Sequence, residues 1–272
     1  MKLAFRLVTV AIQMLLLVSS VSAAAIEKRG AGGKAGIAWP GRLDTGLSKA
    51  FSTSGHTLSW HWHWSPLPPS PAAGSKAPPG EFVSMMYGPS SISDGVPRGS
   101  VVMGFNEPDG CQAGTQSCMS MGDVVDKHRV GSPAPAGNTV AWLKAFFAAC
   151  DARGDCVKPS FITMHAYVST VDALKNYVTE VHEAFPNMPI WLTEFACHSF
   201  GGQPQPTNQQ QVHDFMGGVT AWLDSVSFVE RYSWFGAGQG QDMFGVNGFN
   251  RLQYDNGALT PLGNQYVFKR HA

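Results

Sequence analysis

The chain has little charge. Asp, Glu, Lys and Arg make up 14% of its 272 residues and cancel to +0 at neutral pH. That balance gives no basic face for nucleic acid and no electrostatic grip on an anionic membrane, so neither is an expected partner. Beyond the N-terminus no run is apolar enough to cross a bilayer. No CxxC pair and no His/Cys spacing of a zinc site occurs; His61 and His63 lack a third ligand spaced to join them. No metal and no cofactor is therefore expected. The sequence also has no Asn-x-Ser/Thr acceptor, so enzymatic removal of N-glycans should leave the mass of the mature protein unchanged. Internal repeats and Ser/Thr-rich segments are missing too.

What is present begins with Lys2, Arg6 and the stretch "LVTVAIQMLLLVSSVSAAA". A basic start, a short apolar run and small residues at its end read as a secretory signal over 1–24. "IEKRG" follows, so 25–29 reads as a pro-segment ending at the dibasic Lys28–Arg29. Residues 30–272 then form one mature domain of 243 residues, close to the roughly 250 typical of an eight-fold β/α barrel. Five cysteines in a secreted chain imply at least one disulfide and one thiol left over. Cys150 and Cys156 flank a turn-like "DARGD" and are the first choice. Cys111 and Cys118, around "QAGTQS", are the second, which leaves Cys197 odd.

Eight short apolar runs follow one another: "AGIAW", "TLSWHW", "FVSMMY", "VVMGF", "RVGSPA", "FITMHAY", "PIWLTEF" and "ERYSWFG". Between the later ones, "TVAWLKAFFAACDA", "VDALKNYVTEVHEAF" and "NQQQVHDFMGGVTAWLDSV" carry apolar residues at helical spacing, the last with Thr207 placed to cap it. The early connections are poor in helix; "SPLPPSPAAGSKAPPG" has too much proline for one. Alternating strands and helices with strands apolar on both faces indicate an α/β fold with a parallel sheet. Eight strands in one domain favour closure into a (β/α)8 TIM barrel, some of whose early helices are shortened or replaced by loops.

In such a barrel the chemistry sits at the C-terminal strand ends. The fourth run ends in "GFNEPD", with Asn106 and Glu107, and the seventh in Glu194. Strands four and seven lie across the ring from each other, so the two carboxylates face one another at its mouth. Such a pair is what glycoside hydrolysis requires, one acid protonating the leaving oxygen and one carboxylate attacking the anomeric carbon. "FITMHAY" adds His165 and Tyr167. "ERYSWFG" adds Trp234 as a candidate sugar floor. In "SWHWHWSP" strand alternation sets Trp60, Trp62 and Trp64 on one face; Trp60 is assigned to packing, and Trp62, His63 and Trp64 to the cleft.

"GFNEPD", "HAY" and "PIWLTEFAC", in this order, resemble glycoside hydrolase family 128, clan A β-1,3-glucanases on a (β/α)8 barrel, here of fungal type. The likeness runs from "AGIAWP" to "LTPLGNQY". It implies Glu107 as acid/base, Glu194 as nucleophile, Asn106 on the hydroxyl next to the reacting carbon, and Tyr167 orienting Glu194. One departure is His63, which stands between Trp62 and Trp64 where the family's pattern has Asn. The implied protein is a secreted, monomeric, retaining β-1,3-glucanase acting outside the cell or in the wall on β-1,3-glucan or its oligosaccharides. The alternatives are a clan A β-1,4-glucanase or β-mannanase, and a non-catalytic or very slow glucan-binding barrel. Like charges imply that ionised Glu194 raises the pKa of Glu107 and keeps that acid protonated.

Overall fold

In the computed structural model the described residues run from 33 to 269, apart from 41–44, 70–77, 89–90, 92–100, 113–115, 118–128, 155, 157, 202–203 and 238–242. The signal peptide and dibasic site expected before Gly30 lie outside them. All eight expected strands form: β1 (Ala35–Ala38), β2 (Trp60–Trp62), β3 (Glu81–Met85), β4 (Val101–Met103), β5 (Arg129–Val130), β6 (Ile162–Val168), β7 (Ile190–Cys197) and β8 (Val229–Trp234). They make one all-parallel sheet in the order β5-β4-β3-β2-β1-β8-β7-β6. The ends of that order meet where Gly131 bridges Phe161, with Ser132 N donating to Phe161 O at 2.9 Å and Ser160 N to Val130 O at 2.8 Å. The ring is thereby closed as a barrel.

The three helices announced by periodicity form, and a fourth, short one follows them that no periodicity announced. They are α1 (Thr139–Arg153), α2 (Val171–Ala184), α3 (Gln209–Ser225) and α4 (Pro261–Phe268). Thr170 caps α2 by accepting from Ala173 N at 3.2 Å, satisfying an amide that the helix itself leaves bare. The cap of α3 is a correction. Asn208, not Thr207, accepts from Gln211 N at 3.0 Å, while Thr207 N donates to the Gln211 side chain and ties the residue before the cap to the first turn. As expected, the early connections are thin: a 3-10 stretch, Thr45–Ser52, follows β1, and the described residues between β2 and β3 hold no helix. None of the described helices is long and apolar enough to cross a membrane.

Two apolar layers result. Outside the sheet, Leu192, Phe195, Tyr232 and Trp234 pack under Val178, Phe215, Val219 and Tyr266 of the helices. Inside it, Trp60, Trp62, Val83, Met103, Phe161 and Trp191 fill the barrel beneath its mouth. Gly36 is required there, because a Cβ would lie 2.2 Å from the Trp60 indole. Cys150 and Cys156 are linked, which ties the end of α1 to the segment leading into β6. Cys111 is disulfide-bonded as well; Cys118, its expected partner, lies outside the described residues. Cys197 is a buried free thiol, pushed up to about 11 by burial.

Candidate active site

Two local distortions place the carboxylates. Glu107 follows β4 with φ 40°, a left-handed conformation that costs a non-glycine residue energy and often marks a functional position. Its backbone N donates to Ala134 O at 2.9 Å, so the kink is held by the strand end beside it. Glu194 depends on a bulge. Met164 pairs with Leu192 but His165 pairs with Glu194, so Thr193 is an extra residue in β7. Leu192 packs outward under the helices. Strict alternation would send Glu194 the same way; the extra residue turns it into the mouth.

There the two meet around His165. Its Nδ1 lies 2.9 Å from Glu107 Oε1 and its Nε2 3.5 Å from Glu194 Oε1. The remaining oxygens are also engaged. Tyr167 Oη donates to Glu194 Oε2 at 2.6 Å, Trp64 Nε1 to Glu194 Oε1 at 3.1 Å, and Gln116 Nε2 to Glu107 Oε2 at 3.1 Å. One donor atom each from Glu107, His165 and Glu194 lie within 4.8 Å of one another. Among the described residues this is the one group of three that could hold a cation. Within the group one hydrogen bond is made, His165 Nδ1 to Glu107 Oε1, while His165 Nε2 is buried and faces Glu194 without one.

The electrostatics correct one expectation. Burial raises Glu107, but the hydrogen bond and charge of His165, with a smaller contribution from Gln116, outweigh it and hold the carboxyl below its usual range. Burial raises Glu194; the charge of His165 opposes this, and that of Glu107 adds to it. Burial works against a charged His165, yet the fields of Glu194, Glu107 and Asp109 and the hydrogen bond to Glu107 lift it above its ordinary value. Glu107 is thus lowered rather than raised, because the hydrogen bond and charge of His165 outweigh its burial. Glu107 Oε1 and His165 Nδ1 are joined by a 2.9 Å hydrogen bond.

Of the residues expected in the site, Glu107, Glu194, His165, Tyr167 and Trp64 converge, with Asn106 buried beside Glu107. Three do not present themselves to a sugar. Trp62 is fully buried below the mouth, its Nε1 donating to Ser233 Oγ at 2.9 Å. His63 is buried on the opposite face of the strand, against Phe82 and bonded to Leu67 O. Trp234 is fully buried outside the barrel, with Phe215 and Tyr266, its Nε1 donating to Asn250 O at 3.0 Å. Sequence reasoning missed Tyr87, raised first by burial and then by Glu107 and Glu194. It also missed Gln116, and it missed Phe200, an exposed ring 5.0 Å from that of Tyr167. An aromatic following the strand that carries Glu194 is the one signal that could have pointed to Phe200.

Residues 36–266 match a family described as the glycosyl hydrolase catalytic core. The chain is 31% identical over 250 residues to alkali-sensitive linkage protein 1 of Schizosaccharomyces pombe, spanning 86% of this chain and 44% of that protein. It is also similar to a subgroup V exo-β-1,3-glucanase of family 128 from Cryptococcus neoformans, with 35% identity and TM-score 0.77 over 88% of this chain and 100% of that one. A subgroup I endo-β-1,3-glucanase from Amycolatopsis mediterranei, solved with laminarihexaose, gives 28% identity and TM-score 0.68 over 86% and 98%. The chain belongs to the glycosyl hydrolase catalytic core, and within it to glycoside hydrolase family 128, a family with β-1,3-glucanase members.

Proposed function

We propose that the chain is a β-1,3-glucanase working by double displacement, with Glu194 as nucleophile and Glu107 as acid/base. The observation that carries this is the separation of the carboxylates. Oxygens of Glu107 and Glu194 lie within 4.8 Å of one another. Retaining glycosidases hold their carboxyl groups about 5–5.5 Å apart; inverting ones need roughly 6.5–9.5 Å to admit a water. Glu194, held by Tyr167 and Trp64, attacks the anomeric carbon while Glu107 protonates the departing oxygen. Glu107 then takes a proton from the water that frees the sugar. Asn106, at the end of β4, is assigned to the hydroxyl next to the reacting carbon. β-1,3-Glucan as substrate is supported by the family's glucanases and by the laminarihexaose complex of one of them. The site asks for neither cofactor nor metal in these steps. The N-terminal stretch supports secretion and action outside the cell or in the wall.

Incubation with laminarin, a soluble cellulose derivative and mannan, followed by product sizing, tests the substrate. Release of laminari-oligosaccharides or glucose from laminarin alone is expected. Cleavage of cellulose or mannan in preference would overturn the assignment.

A proton held in common across the Glu107–His165 hydrogen bond would set the pH dependence. On the acid side activity should fall as Glu194 protonates, above the usual carboxylate range because its pKa is raised. On the alkaline side it should fall as Glu107 and His165 lose their common proton, above the ordinary imidazole value of 6.5. In His165→Asn the alkaline limb becomes that of a carboxyl alone and should move down by about one unit or more. An unmoved limb in kcat/KM against pH would contradict the shared proton.

A further inference from the structure

The loop that leaves Glu107 comes back to it. Ser117 N donates to Asn106 O at 3.1 Å, returning the chain to the end of β4, and Cys111 is anchored by its disulfide. Gln116 is half-buried at that return. Its carboxamide has one orientation open to it: Gln112 N donates to Oε1 at 2.7 Å, so Nε2 must face Glu107 Oε2, where it donates at 3.1 Å. Gly110 makes the room. A Cβ there would lie 2.2 Å from the Gln116 carboxamide, and no other residue type leaves that space empty.

We propose that Gln116 is a positioning residue for the acid/base, its locked carboxamide holding Glu107 Oε2 and thereby fixing the rotamer with which Oε1 meets His165. The role rests on the glucanase assignment, since only a general acid needs its proton on a defined oxygen. Oε2 accepts from Gln116, which leaves the proton to the Oε1 side, toward His165. The other groups around Glu107 come from three strands: His165 from β6, Glu194 from β7, and Tyr87 just after β3. Asp109, next along its own segment, is turned away to accept from Ala136 N at 2.9 Å. Gln116 is therefore the one neutral side-chain donor to this carboxyl among the described residues.

The test is a double-mutant cycle read by carbon NMR titration of the Glu107 carboxyl and by kinetics. Gln116→Ala removes a hydrogen bond to the ionised form, so Glu107 should titrate about 0.5–1 unit higher. Its kcat on laminari-oligosaccharides should fall about tenfold, with a smaller loss on an aryl β-glucoside, whose leaving group needs little protonation. Gly110 does not occupy the left-handed region, so Gly110→Ala suits the backbone and displaces only the carboxamide. It should reproduce both changes. In the Gln116→Ala background, where the carboxamide it would strike is gone, it should add almost none. An unchanged Glu107 titration in Gln116→Ala, or full additivity of the two substitutions, would overturn the proposal. The NMR readout needs no turnover, so a wild type inert toward every glucan would defeat the glucanase assignment while the titration still decides the role of Gln116.

Discussion

Replacing Glu194 with Ala should lower laminari-oligosaccharide hydrolysis by at least about 10⁴-fold, and Glu107→Ala should do nearly as much, because one removes the nucleophile and the other the proton. Loss alone does not separate the roles; the leaving group does. An aryl β-glucoside oligomer with an acidic phenol departs unaided, so Glu107→Ala should still form the glycosyl-enzyme on it. Breakdown should then be slow, since no base remains to activate water. Azide needs no base, so adding it should accelerate turnover and yield a β-glycosyl azide. In Glu194→Ala the anion can only attack once from the opposite face, and any rescued product should be the α-azide. Reversed stereochemistry would mean that the two roles are exchanged. Full activity in either variant would remove the glycosidase assignment.

Trp234→Ala should cost about 3–5 kcal/mol of folding stability, a fall in Tm of roughly 10 °C for a domain of this size, and should leave glucan affinity intact in the folded fraction. The indole is 0% exposed, stands edge-on to Phe195 with ring centroids 5.1 Å apart, and donates to Asn250 O. Removing it opens a cavity between the sheet and α3. A sugar platform would behave in the opposite way, losing affinity with Tm unchanged, and calorimetry alongside laminarihexaose binding distinguishes the two. The same measurement on Trp64→Phe should show the complement. Its ring is only partly buried and its Nε1 donates to Glu194. The change should spare stability and move the acidic limb of the pH profile upward, because a hydrogen bond to the nucleophile's ionised form is lost.

Much of the architecture was legible because it is written in period and composition. Each strand is a short apolar run, the later helices repeat apolar residues every three or four positions, and the proline-rich 65–80 stretch could not be helical. The carboxylates were legible for a topological reason: closing eight strands into a ring brings the ends of the fourth and seventh face to face. What could not be read was direction. The inward turn of Glu194 depends on a register slip at Thr193, which leaves no mark in residue type. Trp234 was misplaced because being near a strand end does not say which face is wet; its neighbour Ser233 took the inner side and bonds Trp62. His63 was an avoidable error. The alternation that aligns Trp60, Trp62 and Trp64 inward necessarily puts His61 and His63 outward, where both meet Phe82. Gln116 sits in an aperiodic polar loop, so only Gly110, small enough to admit its carboxamide, marks its place in the sequence.

The most direct measurement is to trap the intermediate. A 2-deoxy-2-fluoro-β-laminarioligosaccharide carrying a dinitrophenyl leaving group reacts at its anomeric carbon, but the fluorine disfavours the oxocarbenium-like transition states of both steps. The activated phenol speeds only the first, so a covalent glycosyl-enzyme should accumulate. Peptide mass spectrometry of the inactivated wild-type protein should then place one fluoroglycosyl ester, in stoichiometric amount, on the peptide of β7 at Glu194. An ester on Glu107, or rapid hydrolysis of natural laminari-oligosaccharide with no covalent adduct on any residue, would contradict the account.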